Sequence, residues 1–299
     1  LRFSTDSEYI AIYAEMPSMA DMSHFARTGS SAFDIYVKCG AKYVYHDTFM
    51  PTLGDHYEAI SRFKVPGMKD VMLHFPTYSD VKNLYIGVAE GSRIEHSAPY
   101  RYLKPVVYYG SSITQGACAS RPGNAYEAII SNDLDCDFIN LGFSGSALAE
   151  EAITDYINSL DMSVFVMDYD HNAPNPEHLE RTHEAFFKKI RASHPDLPVI
   201  MISRPTFEEG YGGPHAYGIS VIPPENEMLR CREVVFRTYM NAVNAGDRSV
   251  YFIDGASLFN GPHADLCTVD GVHPNDAGFL RMADRIGSFV SAALPKDPA

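Results

Sequence analysis

The sequence predicts an α/β protein in two parts: an all-β antiparallel sandwich, then a flavodoxin-like three-layer α/β/α domain with a parallel five-stranded sheet. Two observations predict this fold. Up to about residue 98, apolar residues tend to recur at every second position in short segments, which is typical of half-buried strands. After residue 105, apolar strands alternate with stretches long enough for amphipathic helices, which indicates a parallel sheet. We therefore expect domains at residues 1–100 and 101–299.

The first part contains six segments that we predict to be strands. They are short and rich in Tyr, Ile, Val and Phe, and Gly, Pro, Asp and Ser separate them, as in a sandwich with one face in contact with water. No segment here has a convincing helical period. The predicted strands cover residues 9–16, 33–39, 42–49, 57–65, 71–75 and 84–88.

The second part contains five predicted strands and five predicted helices. In the last helix Phe279, Ala283, Ile286 and Val290 recur at three- and four-residue steps, so one face is apolar. Ligands of such sheets bind beyond the carboxyl ends of the strands. The strands cover residues 106–109, 138–141, 164–168, 199–202 and 250–253, and the helices lie near 123–134, 147–160, 177–193, 228–245 and 276–292.

Residues 206–226 interrupt this alternation. They are rich in Gly and Pro and carry two tyrosines, Tyr211 and Tyr217. The composition predicts a long loop. Loops of this length inside a compact domain often form lids or substrate walls, and disorder is the alternative.

The charge and the apolar runs exclude some classes of partner. The chain has 38 acidic and 24 basic residues, which gives a formal net charge of −14. Binding to a polyanion needs clustered Lys and Arg, so we expect no nucleic-acid partner and no anionic membrane surface. The apolar runs, such as residues 9–14, are far shorter than the ~20 residues that cross a bilayer. We therefore expect no membrane partner.

The cysteines are odd in number and scattered along the chain. They have neither the paired spacing of a zinc site nor the density of a disulfide scaffold, so we expect mostly free, partly buried thiols and no metal. The sequence starts at Leu1 with neither a methionine nor a signal-like apolar stretch, so we expect an upstream segment that was cleaved or lies outside this sequence. Compartment and oligomeric state stay open. The five cysteines are Cys39, Cys118, Cys136, Cys231 and Cys267.

The segment GSSITQG, at residues 110–116, directly follows the first strand of the second part. A serine between a strand end and a helix can project into the cleft, and its own N–H can help to bind a developing oxyanion. A tight turn that caps a helix is the more frequent role of such a segment. The segment alone leaves both interpretations open.

Asp270 and His273 lie on the loop before the last helix. A serine nucleophile needs a base, and a carboxylate can hold that base in the tautomer that accepts the serine proton. The structural alternative is that Asp270 shapes a turn, Asn275 caps the helix and His273 is a surface residue. His263 and His215 are other candidate bases, but neither has an acid at this spacing before a helix.

These two segments resemble the first and last sequence blocks of the SGNH/GDSL hydrolases. Residues 140–145, NLGFSG, resemble the second block, in which a glycine donates a backbone N–H to the oxyanion. Residues 168–172, DYDHN, resemble the third block, in which an asparagine donates its side-chain amide. All four blocks fall in order at predicted strand ends, and the resemblance covers residues 105–292. This conjunction is more specific than any single block.

The resemblance implies a serine esterase. Ser112 would be the nucleophile, His273 its base and Asp270 the acid that orients the base. The oxyanion hole would consist of the N–H groups of Ser112 and Gly145 and the side-chain amide of Asn172. The resemblance implies no cofactor and no metal.

The sequence departs from the family pattern at two places. Ser111 stands where an aspartate usually precedes the nucleophile, so Ser112 is chosen over Ser111 on the alignment of the motif alone. Residues 170–173 read DHNA where GTND is usual, which makes His171 a neighbour of the oxyanion site. Ser111 and His171 are therefore candidate substrate contacts, and a purely structural role for His171 is the alternative.

A β-sandwich in front of such a domain resembles the two-domain carbohydrate esterases, in which a jelly-roll module precedes the SGNH domain. This resemblance depends on the order of the two domains and on short sequence segments such as RFSTD at residues 2–6. The module could bind sugar or only wall the active site. Tryptophan, the commonest sugar-stacking residue, is absent, although 19 tyrosines could replace it. We favour the structural role.

We therefore expect hydrolysis of a short acyl ester, foremost acetyl, on a carbohydrate or glycoside. The absence of a long apolar stretch argues against a lipid chain, whereas the sugar is inferred by analogy. One alternative is acyl transfer, in which an alcohol accepts the acyl group from the same acyl-enzyme. The other is a non-catalytic carbohydrate-binding protein. The sequence argues against this alternative, because every block retains its reacting residue.

Overall fold

A computed structural model of the chain describes residues 1–205 and 225–296. The loop predicted at residues 206–226 lies outside the described residues, except for its last two positions, which begin a helix. No helix in the described ranges is long and apolar enough to cross a membrane.

The first part of the chain is a sandwich of two antiparallel sheets. Its strands are β1 (Arg2–Thr5), β2 (Tyr9–Glu15), β3 (Phe33–Cys39), β4 (Lys42–Phe49), β5 (His56–Arg62), β6 (Lys69–His74), β7 (Asn83–Val88) and β8 (Ile94–Glu95). One sheet has the order β4-β3-β6-β1-β8 and the other has the order β5-β2-β7. Both sheets contribute buried side chains to one core, among them Ile12 of β2, Phe33 of β3 and Leu73 of β6. The predicted sandwich and its six predicted strands are confirmed, with shifts at some ends.

The prediction that this part contains no helix was wrong for one short turn, α1 (Arg27–Ser30). Four residues are too few to show a helical period. The turn is defined by packing instead, because a Cβ atom at Gly29 would come within 1.9 Å of the carbonyl oxygen of Ala119. α1 therefore lies directly against the second part of the chain.

The second part is a parallel sheet with helices on both faces. Its elements are β9 (Tyr102–Gly110), α2 (Ser112–Gln115), α3 (Tyr126–Leu134), β10 (Cys136–Gly142), α4 (Glu151–Asn158), β11 (Val164–Asp168), α5 (Pro176–Ser193), β12 (Val199–Ile202), α6 (Glu225–Asn244), β13 (Val250–Ile253) and α7 (Asp276–Ala293). The sheet order β10-β9-β11-β12-β13 is the flavodoxin-like order, and all pairs are parallel. The predicted three-layer fold is confirmed.

Alternate side chains of β9 are buried on opposite faces of this sheet. Val106 and Tyr108 belong to a core that includes residues of α3 and α7. Val107 and Tyr109 belong to a second core that includes residues of α4, α5 and α6. The sheet is covered on both sides, so a substrate reaches it at an edge.

Asp34 of β3 joins the sandwich to the segment that follows α2. The carboxylate is fully buried and accepts hydrogen bonds from Thr48 Oγ1 and Gly123 N–H, both at 2.8 Å, and from Arg121 Nη1 at 3.3 Å. Arg121 also donates to the hydroxyl of Tyr36. Burial raises the pKa of Asp34, and these donors oppose that rise. The sandwich thereby fixes the chain near the predicted site. The boundary near residue 100, between β8 and β9, stays a prediction.

Candidate active site

The predicted site residues lie beyond the carboxyl ends of the parallel strands. Ser112 follows β9, Gly145 follows β10, Asn172 follows β11, and Asp270 and His273 follow β13. β10 and β11 flank β9 on opposite sides, so the connections that leave β9 and β10 run in opposite directions. Such a reversal of strand order opens a crevice in which α/β proteins bind ligands.

Ser112, His273 and Asp270 form one hydrogen-bonded chain. Ser112 Oγ lies 2.9 Å from Nε2 of His273, and Nδ1 of His273 lies 2.7 Å from Oδ2 of Asp270. Ser112 is 9% exposed and His273 is 6% exposed. This arrangement can move a proton from the serine hydroxyl to the imidazole, since the carboxylate holds the proton of the ring on Nδ1.

A tight turn brings Asp270 and His273 together. The N–H groups of His273 and Val272 donate to Asp270 Oδ1 at 2.7 Å and 3.0 Å, and Gly271 has a φ of +83°, a value that favours glycine. Asn275 caps α7 by accepting hydrogen bonds from two N–H groups of its first turn. Asp270 therefore shapes the turn and also faces His273, and the alternative that His273 is a surface residue is wrong.

The carboxyl group of Asp270 is held in its ionised form. Burial alone would raise the pKa of Asp270, but the hydrogen bonds from the His273 ring and from the N–H groups of His273 and Val272 lower this pKa well below its ordinary value. A negative charge next to Nδ1 stabilises a positively charged imidazolium.

The two adjacent serines have different environments. Ser111 is 1% exposed, and its Oγ accepts a hydrogen bond from the N–H of Ile113 at 3.2 Å, so it caps α2. The hydroxyl next to His273 is that of Ser112. The segment after β9 is thus both a helix cap and the source of the serine at the site. The environment of Ser111 favours a role as helix cap. The predicted contact of Ser111 with substrate stays a prediction.

The predicted oxyanion donors lie on three separate turns. Asn172 Oδ1 accepts a hydrogen bond from Ala147 N–H at 3.1 Å, which orients the amide and leaves its NH2 group as the donor. Gly145 is exposed and has a φ of +70°. In the described part of the chain, the N–H groups of Ser112 and Gly145 and the Nδ2 of Asn172 have no hydrogen-bond acceptor. These three groups are therefore available to bind an oxyanion.

A buried ion pair fixes the turn that carries His171 and Asn172. Asp170 and Arg204 are 1% and 5% exposed, and Asp170 accepts from the N–H and the Nε of Arg204 at 2.8 Å and 2.9 Å. Burial lowers the pKa of His171 well below its ordinary value, and the charge of Arg204 lowers it further. His171 is therefore a neutral neighbour of His273. Its contact with substrate stays a prediction.

Three residues that lie near the site were not predicted from the sequence. Tyr78 and His24 come from the sandwich, and Cys118 follows α2. Burial raises the pKa of Tyr78 to about 12, although the nearby hydroxyls of Ser144 and Ser112 stabilise its charged form. Burial also raises the pKa of Cys118 to about 12, so at neutral pH the free thiol is protonated and does not compete as a nucleophile. No local pattern could reveal these contacts, because they join distant segments.

Asp168 lies beneath the serine turn, at the end of β11. It pairs with Gly110 in the sheet, and its Oδ2 accepts hydrogen bonds from Thr114 Oγ1 and Tyr126 Oη, both at 3.4 Å. Burial raises the pKa of Asp168 to about 8, and the charge of Asp170 adds to the rise. The carboxyl group is therefore protonated at neutral pH.

This pKa predicts how stability depends on pH. The folded state binds the Asp168 proton more tightly than the unfolded chain does. The contribution of this proton to the free energy of unfolding is therefore complete below about pH 4 and is lost as the pH rises to about 8. In Asp168→Asn, which cannot ionise, we expect Tm to fall by a few °C less between pH 5 and pH 8 than in the wild type. Asp196→Asn, at an exposed position, is the matched control. An equal fall of Tm in Asp168→Asn and the wild type would contradict this account.

Comparisons with known proteins identify both parts of the chain. Residues 103–291 match the profile of the GDSL-like lipase/acylhydrolase family, and residues 1–94 match the profile of the N-terminus of SGNH-hydrolase-type esterases. A search of curated proteins finds no match.

Solved structures share the whole two-part architecture. A chain from Bacteroides ovatus ATCC 8483, described as a GDSL-like lipase, is 29% identical with a TM-score of 0.85, and the match covers 98% of this chain and 83% of that one. A salicylyl-acyltransferase from a tetracycline biosynthetic pathway is 20% identical with a TM-score of 0.75, and the match covers 97% and 81%. A family two carbohydrate esterase from Clostridium thermocellum in complex with cellohexaose is 13% identical with a TM-score of 0.70, and the match covers 97% and 91%. The last two are similar in fold.

Proposed function

Because the chain belongs to the GDSL-like lipase/acylhydrolase family, we propose that it is a serine esterase that hydrolyses short acyl esters, foremost acetyl esters of a carbohydrate or glycoside. The observation that carries this proposal is the hydrogen-bonded chain from Ser112 through His273 to Asp270. Apart from the ester and water, the proposed reaction uses only groups of this chain.

The first half of the reaction acylates Ser112. Its Oγ attacks the ester carbonyl carbon while Nε2 of His273 takes the hydroxyl proton, and Asp270 stabilises the imidazolium. The N–H groups of Ser112 and Gly145 and the amide of Asn172 bind the oxyanion of the tetrahedral intermediate. His273 then donates its proton to the leaving alcohol oxygen as the C–O bond breaks.

The second half of the reaction releases the acid. A water molecule attacks the carbonyl carbon of the acyl-enzyme, and Nε2 of His273 takes a proton from that water. The same donors bind the second oxyanion. His273 returns the proton to Ser112 Oγ as the acyl–enzyme bond breaks, so the free enzyme is restored.

The limited space around Ser112 favours substrates with a small acyl group. The residue is 9% exposed, and Tyr78 of the sandwich approaches its hydroxyl. A long acyl chain would need an open apolar channel beside this atom. The sandwich therefore acts as a wall of the site in this proposal, and residues 1–100 and 101–299 act as one functional unit. The carbohydrate half of the proposal is an analogy to the carbohydrate esterase that shares the fold.

Acyl transfer is the second candidate. A salicylyl-acyltransferase has the same two-part fold, and an alcohol could replace water in the attack on the acyl-enzyme without any change in the roles of Ser112 and His273. The two reactions differ only in which acceptor reaches the acyl-enzyme first.

A substrate screen tests this proposal. Purified protein is assayed on p-nitrophenyl acetate, butyrate and octanoate and on acetylated mono- and oligosaccharides, with Ser112→Ala as the blank. We expect the highest kcat/KM for acetyl esters and release of free acetate from a sugar. Preference for octanoate would contradict the short acyl group. More ester than free acid in the presence of an alcohol acceptor would favour transfer.

The amide of Asn172 is expected to contribute to the reaction rate. Asn172→Ala should lower kcat by ~10²- to 10³-fold with a smaller change in KM, because the lost donor binds the oxyanion more tightly than the ground-state carbonyl. Asn172→Asp, which keeps an acceptor for Ala147 N–H but loses the donor, should be impaired as well. Steady-state kinetics on p-nitrophenyl acetate measure both variants.

Asn175→Ala is the matched control. Asn175 lies three residues further along the chain and caps α5 through a hydrogen bond from His178 N–H. Its loss should cost about 1 kcal/mol of stability and leave kcat near the wild-type value. Equal kcat values for Asn172→Ala and Asn175→Ala would contradict the oxyanion role.

A further inference from the structure

His24, Cys118 and His273 bring three metal-ligating side chains together beside Ser112. One ligand atom of each residue lies within 4.8 Å of those of the other two. The three come from separate parts of the chain: the segment before α1, the segment after α2 and the turn before α7. Only His273 has a role in the proposed reaction, so the presence of His24 and Cys118 needs another explanation.

The spacing is close to that of a metal site. Zn²⁺ binds cysteine sulfur and histidine nitrogen at ~2.0–2.3 Å in tetrahedral geometry, which places ligand atoms about 3.5 Å apart. Separations of up to 4.8 Å would contract to this value through small side-chain rotations. His24 is only partly buried, so its ring has room to rotate.

The environment of His24 is a second observation that points to a ligand. Its Nδ1 is buried and has no hydrogen-bond partner among residues 1–205 and 225–296. Buried polar atoms are almost always paired, and a metal ion can supply the missing partner. The His24 ring lies beside that of His273, with centroids 5.7 Å apart, and Cys118 Sγ lies 3.5 Å from the carbonyl oxygen of His24.

The set of donors selects the class of metal. Two imidazoles and a thiol favour Zn²⁺ over Mg²⁺ or Ca²⁺, which prefer oxygen ligands. Cys118 is not in a disulfide, and the Asp270 carboxylate is already bonded to the far side of the His273 ring. Nε2 is therefore the nitrogen through which His273 can bind a metal.

We propose that His24, Cys118 and His273 form an inhibitory Zn²⁺ site. Zinc binds Nε2 of His273, a nitrogen of His24 and the sulfur of Cys118, whose S–H bond breaks with release of its proton to solvent. Water takes the fourth position. The lone pair of Nε2 is then occupied and cannot accept the Ser112 proton. The metal site is inferred from geometry alone, whereas the inhibition of esterase activity also depends on the proposed function.

A cobalt titration tests the site without any assay of activity. Co²⁺ is added to reduced, chelator-treated full-length protein, and the thiolate-to-cobalt charge-transfer band and the visible bands of tetrahedral cobalt are recorded. We expect saturation at one equivalent, with loss of the charge-transfer band in Cys118→Ser and weaker binding in His24→Gln. Cys39→Ser, at an exposed free cysteine, should titrate like the wild type. Circular dichroism verifies that each variant is folded.

A zinc titration of esterase activity tests the consequence. The Zn²⁺ concentration for half inhibition, relative to the metal-free rate of each variant, should rise at least ~10-fold in His24→Gln and in Cys118→Ser. Mg²⁺ should not inhibit. A charge-transfer band that persists in Cys118→Ser, or that never forms in the wild type, would overturn the site. If the protein hydrolyses no ester, the proposed function fails while the cobalt titration still decides the metal site.

Discussion

Replacement of Ser112 by alanine is expected to lower kcat for p-nitrophenyl acetate by ~10⁵-fold or more, because losses of this size follow removal of a serine nucleophile. Its hydroxyl is the group bonded to the imidazole, at 2.9 Å. The variant should keep its fold, since alanine fits the space of the serine. Steady-state kinetics and a thermal melt on the same sample measure both quantities.

Ser111→Ala is the control for this prediction. Ser111 caps α2, so its loss should cost about 1 kcal/mol of stability and should leave most of the activity. The two variants separate the roles of neighbouring serines that the sequence motif could not separate. Abolished activity in Ser111→Ala together with retained activity in Ser112→Ala would show that the nucleophile is misassigned.

The substitution Asp270→Asn is expected to lower kcat by ~10⁴-fold. An asparagine oxygen can still accept from the N–H groups of His273 and Val272, so the turn should persist. The amide NH2 can instead donate to Nδ1 of His273, which favours the tautomer with its proton on Nε2. That tautomer cannot accept the proton of Ser112. The rate on p-nitrophenyl acetate measures the loss.

Asp265→Asn is the matched control, since Asp265 is an exposed aspartate on the same loop. Its activity should remain close to that of the wild type. If Asp270→Asn retained more than a tenth of the wild-type kcat, Asp270 would have only a structural role in its turn.

Much of the fold could be predicted from the sequence, because its elements carry strong periodic patterns. The strand at Val164–Asp168 was predicted to the residue, since an apolar run of this length between polar segments suits a strand buried on both faces. The partnership of Ser112, Asp270 and His273 was predictable for a related reason. Parallel strands end at one edge of the sheet, so residues far apart in sequence meet there.

Short or irregular elements could not be predicted. β1, β8, α1 and α2 span two to four residues, which is too short for a period to appear. The helix predicted at 147–160 begins only at Glu151, since Ala149 has a φ of +57°, which a right-handed helix does not allow. The segment before this helix instead contacts the site, because Ala147 N–H donates to Asn172 Oδ1.

Contacts between the two parts of the chain could not be predicted from the sequence either. A pattern indicates which face of a strand is buried but not which distant segment covers it. Asp34 could be assigned to a strand, whereas its hydrogen bond to Gly123 and its ion pair with Arg121 emerge only from the fold. The approach of Tyr78 and His24 to the site has the same origin.

Covalent labelling of the folded protein tests whether His273 activates Ser112. Folded protein is treated with a fluorophosphonate probe, digested, and mapped by mass spectrometry of the peptide that contains residues 110–116. We expect one adduct, on Ser112, that is absent from heat-denatured protein and from His273→Ala. An adduct on Ser111, or no adduct on the folded protein, would show that His273 does not activate Ser112.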